Sequence, residues 1–169
     1  MILIVMGVSG SGKTTLAQAL AKLTGWQFAE GDDYHSEANR QKMHSGIPLT
    51  DEDRAPWLIT LHELIFKWHQ SGQNGILTCS ALKQSYRETL TVGLPAEAYH
   101  FVLMEAPKEV ISQRMQARHH FMPSELLDSQ IATLELPANA LHVSALEPSE
   151  GAARTVLESL GIPPSNETN

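Results

Sequence analysis

Gly7-Val8-Ser9-Gly10-Ser11-Gly12-Lys13-Thr14 brings three glycines, an ammonium and three hydroxyls into eight residues, a spacing suited to gripping a chain of phosphates. Glycines let the backbone wrap close to phosphate oxygens and turn its N–H groups inward. A lysine at the seventh position reaches the β and γ phosphates, and the hydroxyl after it can sit on Mg²⁺. The pattern G-x-x-x-x-G-K-[ST] is the P-loop. It assigns Gly7, Val8, Ser9, Gly10, Ser11, Gly12, Lys13 and Thr14, with Thr15 beside them, to ATP. The plain alternative is a glycine-rich turn without function, and the flanks argue against it. Ile2-Leu3-Ile4-Val5 is a continuous apolar run of the kind buried on both faces of a parallel sheet. Thr14 to Thr24 carries Leu16, Ala19, Leu20 and Leu23 on one helical face, so the positive end of a helix falls on the same spot. A dinucleotide fingerprint is a poor rival because its third glycine position holds Thr15. No Asn-Lys-x-Asp stretch reads guanine, and a small phosphotransferase suits the size better than a motor.

Such a transferase must position an acceptor hydroxyl, hold a metal and neutralise the moving phosphoryl group. Glu30-Gly31-Asp32 ends a second short strand, Gln27-Phe28-Ala29, where open α/β sheets gather ligands. Asp32 is assigned to the acceptor hydroxyl, either orienting it or taking its proton. Glu30 and Asp32, with Thr14, are assigned to Mg²⁺. The plainer reading, a turn or helix cap, is given to Asp33. The third strand, Ile76-Leu77-Thr78-Cys79, runs into Ser80 with no Asp at its end, so the metal carboxylate must come from Glu30 or Asp32.

Lys83 and Arg87 are four apart, which puts them on one face if both are helical, and they are assigned to an anionic acceptor rather than to a solvated surface pair. Arg54, Lys42 and Arg40 are candidates for further contacts with an anionic or polyhydroxyl substrate. Arg114 and Arg118 are also four apart and lead into His119-His120-Phe121. They are assigned to a mobile lid over ATP, which by excluding water suppresses wasteful hydrolysis. The bland reading is basic residues at a helix C-terminus. The eight histidines lack metal-ligand spacing, and Trp57 and Trp68 read as core or interface.

The elements that must position these residues alternate. Helices are expected over Ser36 to His44, Thr50 to about Gln70, Gln84–Leu90, from Pro107 into the basic segment, and from Pro148 to Leu160. Further strands are expected at Tyr99 to Met104 and Leu141-His142-Val143. Alternation of this kind predicts an α/β fold with a parallel sheet of about five strands flanked by helices. One domain is expected over 1–162, with a lid at about 114–135 and a disordered tail at 163–169.

Composition agrees. The chain has 169 residues, and 12 Lys+Arg against 19 Asp+Glu give a formal net charge of −7 at pH 7, which argues against nucleic acid or an anionic membrane surface as partner. The lone Cys79 cannot close an intrachain disulfide, and the longest apolar run, Met1–Met6, is far short of the ~20 residues of a membrane span. A cytoplasmic protein is expected.

Beyond the P-loop, longer blocks resemble gluconokinases. These are Gly31-Asp32-Asp33-Tyr34-His35 with Asn39, Lys42 through Leu58, Cys79-Ser80-Ala81-Leu82-Lys83 with Tyr86-Arg87, and His120-Phe121-Met122 with Leu126-Leu127, Ser129-Gln130 and Thr133-Leu134-Glu135. The resemblance covers about residues 1–137. It implies ATP:D-gluconate 6-phosphotransferase activity, a fold similar to shikimate kinase with a mobile lid, Mg²⁺ and a homodimer. It also implies that Asp32 meets the terminal hydroxyl, while Arg54, Lys83 and Arg87, with His120, meet the rest of the substrate. The alternatives are a kinase for another sugar acid or shikimate, and a protein that binds ATP without transferring phosphate. Two departures stand out. Arg118-His119-His120-Phe121 lacks the glycine that the family often carries before its His-Phe pair, and Val143-Ser144-Ala145-Leu146 lacks the expected Asp. They predict lid and nucleotide contacts that differ from the family's.

Overall fold

A computed structural model describes residues 1–117 and 124–165. The elements run β1 (Ile2–Met6), α1 (Lys13–Thr24), β2 (Gln27–Glu30), a 3₁₀ turn (Gly31–Tyr34), α2 (Glu37–His44), α3 (Asp51–Gln70), β3 (Gly75–Thr78) and α4 (Gln84–Thr91). After a 3₁₀ turn at Ala96–Ala98 come β4 (Tyr99–Glu105), α5 (Lys108–Ala117), α6 (Ser124–Thr133), β5 (Ala140–Ser144) and α7 (Ser149–Ser159).

The five strands form one parallel sheet in the order β2-β3-β1-β4-β5. β1 is central, with Ile4 opposite Leu77 on one side and Phe101 on the other. Its uninterrupted apolar run follows from that place, because both faces are covered. Ile2, Ile4 and Met6 point to one side, against Leu58, Leu61 and Ile65 of α3 and Leu90 of α4. Leu3 and Val5 point to the other, against Leu16 and Leu20 of α1 and Ala153 and Val156 of α7. Each such burial is worth roughly 1.5–3 kcal/mol, so β1 is anchored from both sides and the loop leaving it is carried on a rigid base. The connections leaving the neighbouring strands β1 and β3 run to opposite sides of the sheet, and the crevice at a switch point of this kind is where α/β proteins bind ligands.

The expected strands and helices are all present, with ends that move by a residue or two. One element was not anticipated: α6 lies inside the stretch read as lid. Arg118, His119, His120 and the glycine-less departure fall in 118–123, outside the described residues. Of the expected disordered tail, 163–165 are described, and the Ser165 hydroxyl donates to the Leu23 carbonyl at 2.9 Å. Among the described residues no helix is long and apolar enough to cross a membrane.

Candidate active site

The P-loop joins β1 to α1. Gly7, Gly10 and Gly12 hold φ of +139°, +78° and +104°, values that side chains with a Cβ rarely adopt. A Cβ on Gly7 would stand 2.8 Å from the Met104 carbonyl oxygen. The loop is braced by the Gly7 N–H on the Ser80 carbonyl (3.3 Å), the Ser11 N–H on the Val8 carbonyl (3.2 Å) and the Lys13 ammonium on the same Val8 carbonyl (3.1 Å). N–H groups in the first turn of α1 have no partner within the helix and remain available to an anion. The Ser11 hydroxyl is buried in the loop without a hydrogen-bond partner among the described residues. Burial pushes the Lys13 ammonium below its ordinary pKa, while Asp32 and then Glu30 pull it back up. The loop's cation therefore sits in the field of both carboxylates.

Those carboxylates are held differently. Glu30 accepts from the Thr14 hydroxyl at 2.5 Å and from the Thr78 hydroxyl. Thr78 Oγ1 in turn accepts from the Gly31 N–H at 3.1 Å, and the Gly31 carbonyl accepts from the Trp57 indole at 2.8 Å. Gly31 is pressed so closely onto β3 that a Cβ there would lie 2.1 Å from the Thr78 carbonyl oxygen. The turn is thereby locked, and the next residue, Asp32, projects a side chain that is 69% exposed.

Asp32 and Lys13 line one cleft with Arg54 and Lys83, of about 230 Å³. The amino end of α3 forms one wall. Thr50 caps it reciprocally: its hydroxyl accepts from the Asp53 N–H (3.1 Å) while the Asp53 carboxylate accepts from the Thr50 N–H (2.9 Å). Asp51, Arg54 and Trp57, three apart, then face the cleft together. The Lys83 ammonium is 3.0 Å from both Asp51 oxygens, and the Tyr86 hydroxyl donates to Asp51 as well. The Tyr86 bond and then the Lys83 bonds hold the Asp51 carboxyl below the usual carboxylate range, and Asp51 raises Lys83. Arg54 stands over the Tyr86 ring, 5.5 Å from its centroid, and donates to the Leu49 carbonyl at 2.5 Å.

Other basic residues are engaged elsewhere. Arg87 is 6% exposed and donates to the Ala81 and Leu82 carbonyls at 2.9 and 3.2 Å. It braces the loop that carries Lys83 and is not on the cleft wall. Lys42 closes on both Asp53 oxygens at 2.9 and 2.8 Å, and Arg40 donates to the Asp33 carbonyl at 2.6 Å. Thr15 is exposed on α1. Arg114 reaches from α5 to the carbonyls of Ser11 (3.4 Å) and Ala145 (2.5 Å), tying the P-loop to the end of β5.

In the sequence no motif marks His35, Asp51, Tyr86 or Gln130 for a role, yet all four line the cleft. Gln130 of α6 accepts from the Ser9 N–H at 2.8 Å and donates to the Ser9 hydroxyl at 3.2 Å. Leu127 of the same helix packs on Val8, Leu82 and Ile111. The recurrence of Leu127, Gln130 and Leu134 at intervals of three and four was the available signal for this helix. His35 is buried, and that burial, with Arg54 and Arg40 nearby, pushes its pKa down to about 4, so the ring is neutral near pH 7. Trp57 and Trp68 are buried, as expected of core residues. Burial also pushes the Cys79 thiol up to about 12, which leaves it inert. Among the described residues no group of three or more His, Cys, Asp or Glu could hold a metal unaided.

A parallel sheet with a P-loop leaving its central strand, opening onto a small cleft with a carboxylate near the loop and cations beyond it, defines a P-loop kinase of small molecules. A family model described as an AAA domain matches residues 2–137. The gluconokinase of Gluconobacter oxydans (strain 621H) is 51% identical over 139 residues, covering 81% of this chain and 76% of that one. The crystal structure of a gluconokinase from Sinorhizobium meliloti 1021 superposes with a TM-score of 0.84 at 40% identity, covering 94% of this chain and 90% of that one. The fold is also shared with a shikimate kinase from Acinetobacter baumannii, with a TM-score of 0.57 at 16% identity, covering 99% and 95%. The chain belongs to the gluconokinase family.

Proposed function

We propose that this chain transfers the γ-phosphoryl group of ATP to the terminal hydroxyl of D-gluconate, giving 6-phospho-D-gluconate and ADP, with the cleft residues in the following roles. The P-loop N–H groups hold the phosphates, and Lys13 offsets negative charge on the transferring group. Asp32 faces the terminal hydroxyl, orienting it for in-line attack on the γ-phosphorus and taking the hydrogen bond of its proton. Lys83 and Arg54 receive the carboxylate at the far end. Arg87 acts from beneath, by fixing the Ala81–Lys83 backbone. Arg114, Arg118 and His120 belong to the lid side of the reading, over a domain spanning 1–162.

The observation that carries this reading is that Lys13 and Asp32 share one small cleft with Lys83 and Arg54, so an acceptor with a hydroxyl at one end and a carboxylate at the other fits between them. The names of the relatives supply the acid.

Magnesium suits the oxygen donors present: the Thr14 hydroxyl and Glu30 carboxylate are 2.5 Å apart, with Asp32 on the neighbouring turn. When bound there it would neutralise phosphate charge. Chelation is expected to abolish turnover. A homodimer rests on the family resemblance, and a cytoplasmic location on the single buried thiol; light scattering should return twice the monomer's mass.

The experiment is a coupled ADP-release assay with Mg-ATP and gluconate, shikimate or no acceptor. Turnover with gluconate alone is expected, and Lys13→Ala should remove it. A higher kcat/KM with shikimate would overturn the choice of acid; ATP binding without turnover on either acid would overturn the transfer.

A further inference from the structure

His35 is the buried polar group of the cleft that the reaction above does not use. Its ring is only 4% exposed and stacks on the Trp57 indole, with centroids 4.1 Å apart and planes inclined by 17°. Trp57 donates its own N–H to the Gly31 carbonyl, and the His35 backbone N–H donates to the Asp32 carbonyl at 3.3 Å. The imidazole is therefore fastened to the same turn that carries Asp32.

Asn39 settles which ring nitrogen bears the proton. Its Nδ2 donates to the Asp53 carbonyl at 2.8 Å, and since a carbonyl only accepts, the orientation of the amide is fixed. The same Nδ2 stands 3.4 Å from His35 Nδ1. Facing a donor, Nδ1 must be the acceptor, so the proton of the neutral ring is on Nε2. That nitrogen lies 3.9 Å from Asp32 Oδ1. The gap exceeds a hydrogen bond, but of the two side chains only Asp32, 69% exposed, is free to swing, and a small rotation closes it.

We propose that His35 is a positioning residue: its Nε2–H, aimed by Asn39 and the Trp57 stack, holds one oxygen of the Asp32 carboxylate so that the other faces the acceptor hydroxyl. The inference rests on the reading of Asp32 as the acceptor-side carboxylate. A hydrogen bond to a charged group of this kind corresponds to about a tenfold to hundredfold effect on kcat.

The test is steady-state kinetics with Mg-ATP and gluconate on His35→Phe and His35→Gln, each alone and combined with Asp32→Asn. Phenylalanine keeps the stack but has no donor, whereas glutamine can place an N–H where Nε2 was. His35→Phe should lower kcat by about tenfold to hundredfold with the KM for ATP within about twofold, and His35→Gln should recover most of the loss. In the Asp32→Asn background the His35→Phe effect should shrink to about twofold or less, because the two residues act as one unit. An unchanged kcat in His35→Phe, or a penalty that persists in full beside Asp32→Asn, overturns the inference. If His35→Phe does not fold, His35→Asn replaces it. Asparagine places its donor at the Nδ1 position, so equal activity of His35→Asn and His35→Gln is the overturning result. Normal kcat in Asp32→Asn alone would instead bring down the reading of Asp32, and the inference with it.

Discussion

Lys83 and Arg87 show how far spacing alone carries a residue assignment. Four apart, they were expected on one helical face, but Lys83 is the extended residue before α4 (φ −95°, ψ 150°) and only Arg87 is helical. Lys83 consequently reaches the cleft, while Arg87 turns inward to two backbone carbonyls. The two cations should fail differently when removed. Lys83→Ala is expected to raise the KM for gluconate by about tenfold or more while leaving stability near that of the parent, because its exposed pair with Asp51 contributes little to folding. Arg87→Leu strands the Ala81 and Leu82 carbonyls and should cost about 2–3 kcal/mol in urea unfolding. Near-parental stability of Arg87→Leu would mean that the buried guanidinium is not what holds this loop. Asp32→Asn belongs to the same scale: loss of a group that positions the proton should lower kcat by about a hundredfold or more. Near-normal kcat would refute its assignment.

At the scale of elements, the amino end of α3 joins local sequence to the cleft. Thr50 and Asp53 are three apart, as a capping box requires, and their reciprocal bonds set the angle at which Asp51 and Arg54 enter the wall. Thr50→Ala should cost about 1 kcal/mol of stability, and the loosened first turn should also raise the KM for gluconate more than that for ATP. Comparison of the two KM values checks this, since an equal rise would mean that the cap does not act through the acceptor wall. The helix α6 stands at the opposite extreme. Its apolar intervals were legible, but nothing in them tells that Gln130 grips both the N–H and the hydroxyl of Ser9, or that the Glu135 carboxylate accepts from the Gln84 N–H at the start of α4 at 2.7 Å. These contacts join residues 121 and 51 positions apart.

Across the whole molecule, a neutral buried imidazole ties stability to pH. The His35 pKa falls from 6.5 to about 4 on folding, so between those values the unfolded chain binds a proton that the folded chain does not. Its contribution is present in full above pH 6.5 and is lost as pH falls from 6.5 towards 4. A depression of this size corresponds to about 3 kcal/mol. Urea unfolding of the parent should therefore lose stability over that interval, and His35→Gln, which cannot take up the proton, should show a shallower fall. Equal slopes would mean that the imidazole ionises alike in both states.

The sequence by itself determined the alternation of strands and helices, the phosphate loop and the cap of α3, because each is written in neighbouring residues through steric freedom, apolar period or a bond spanning three positions. It also placed Asp32, since a carboxylate just past a strand's end has few places to go. Tertiary structure alone decided that Lys42 and Arg40 are engaged outside the cleft, that Arg87 is a brace, that Lys83 and Tyr86 share Asp51, and that His35 is buried beside Asp32 with its proton set by Asn39. Those outcomes depend on which distant groups desolvate a side chain and offer it hydrogen bonds, and only the packed chain brings such groups together.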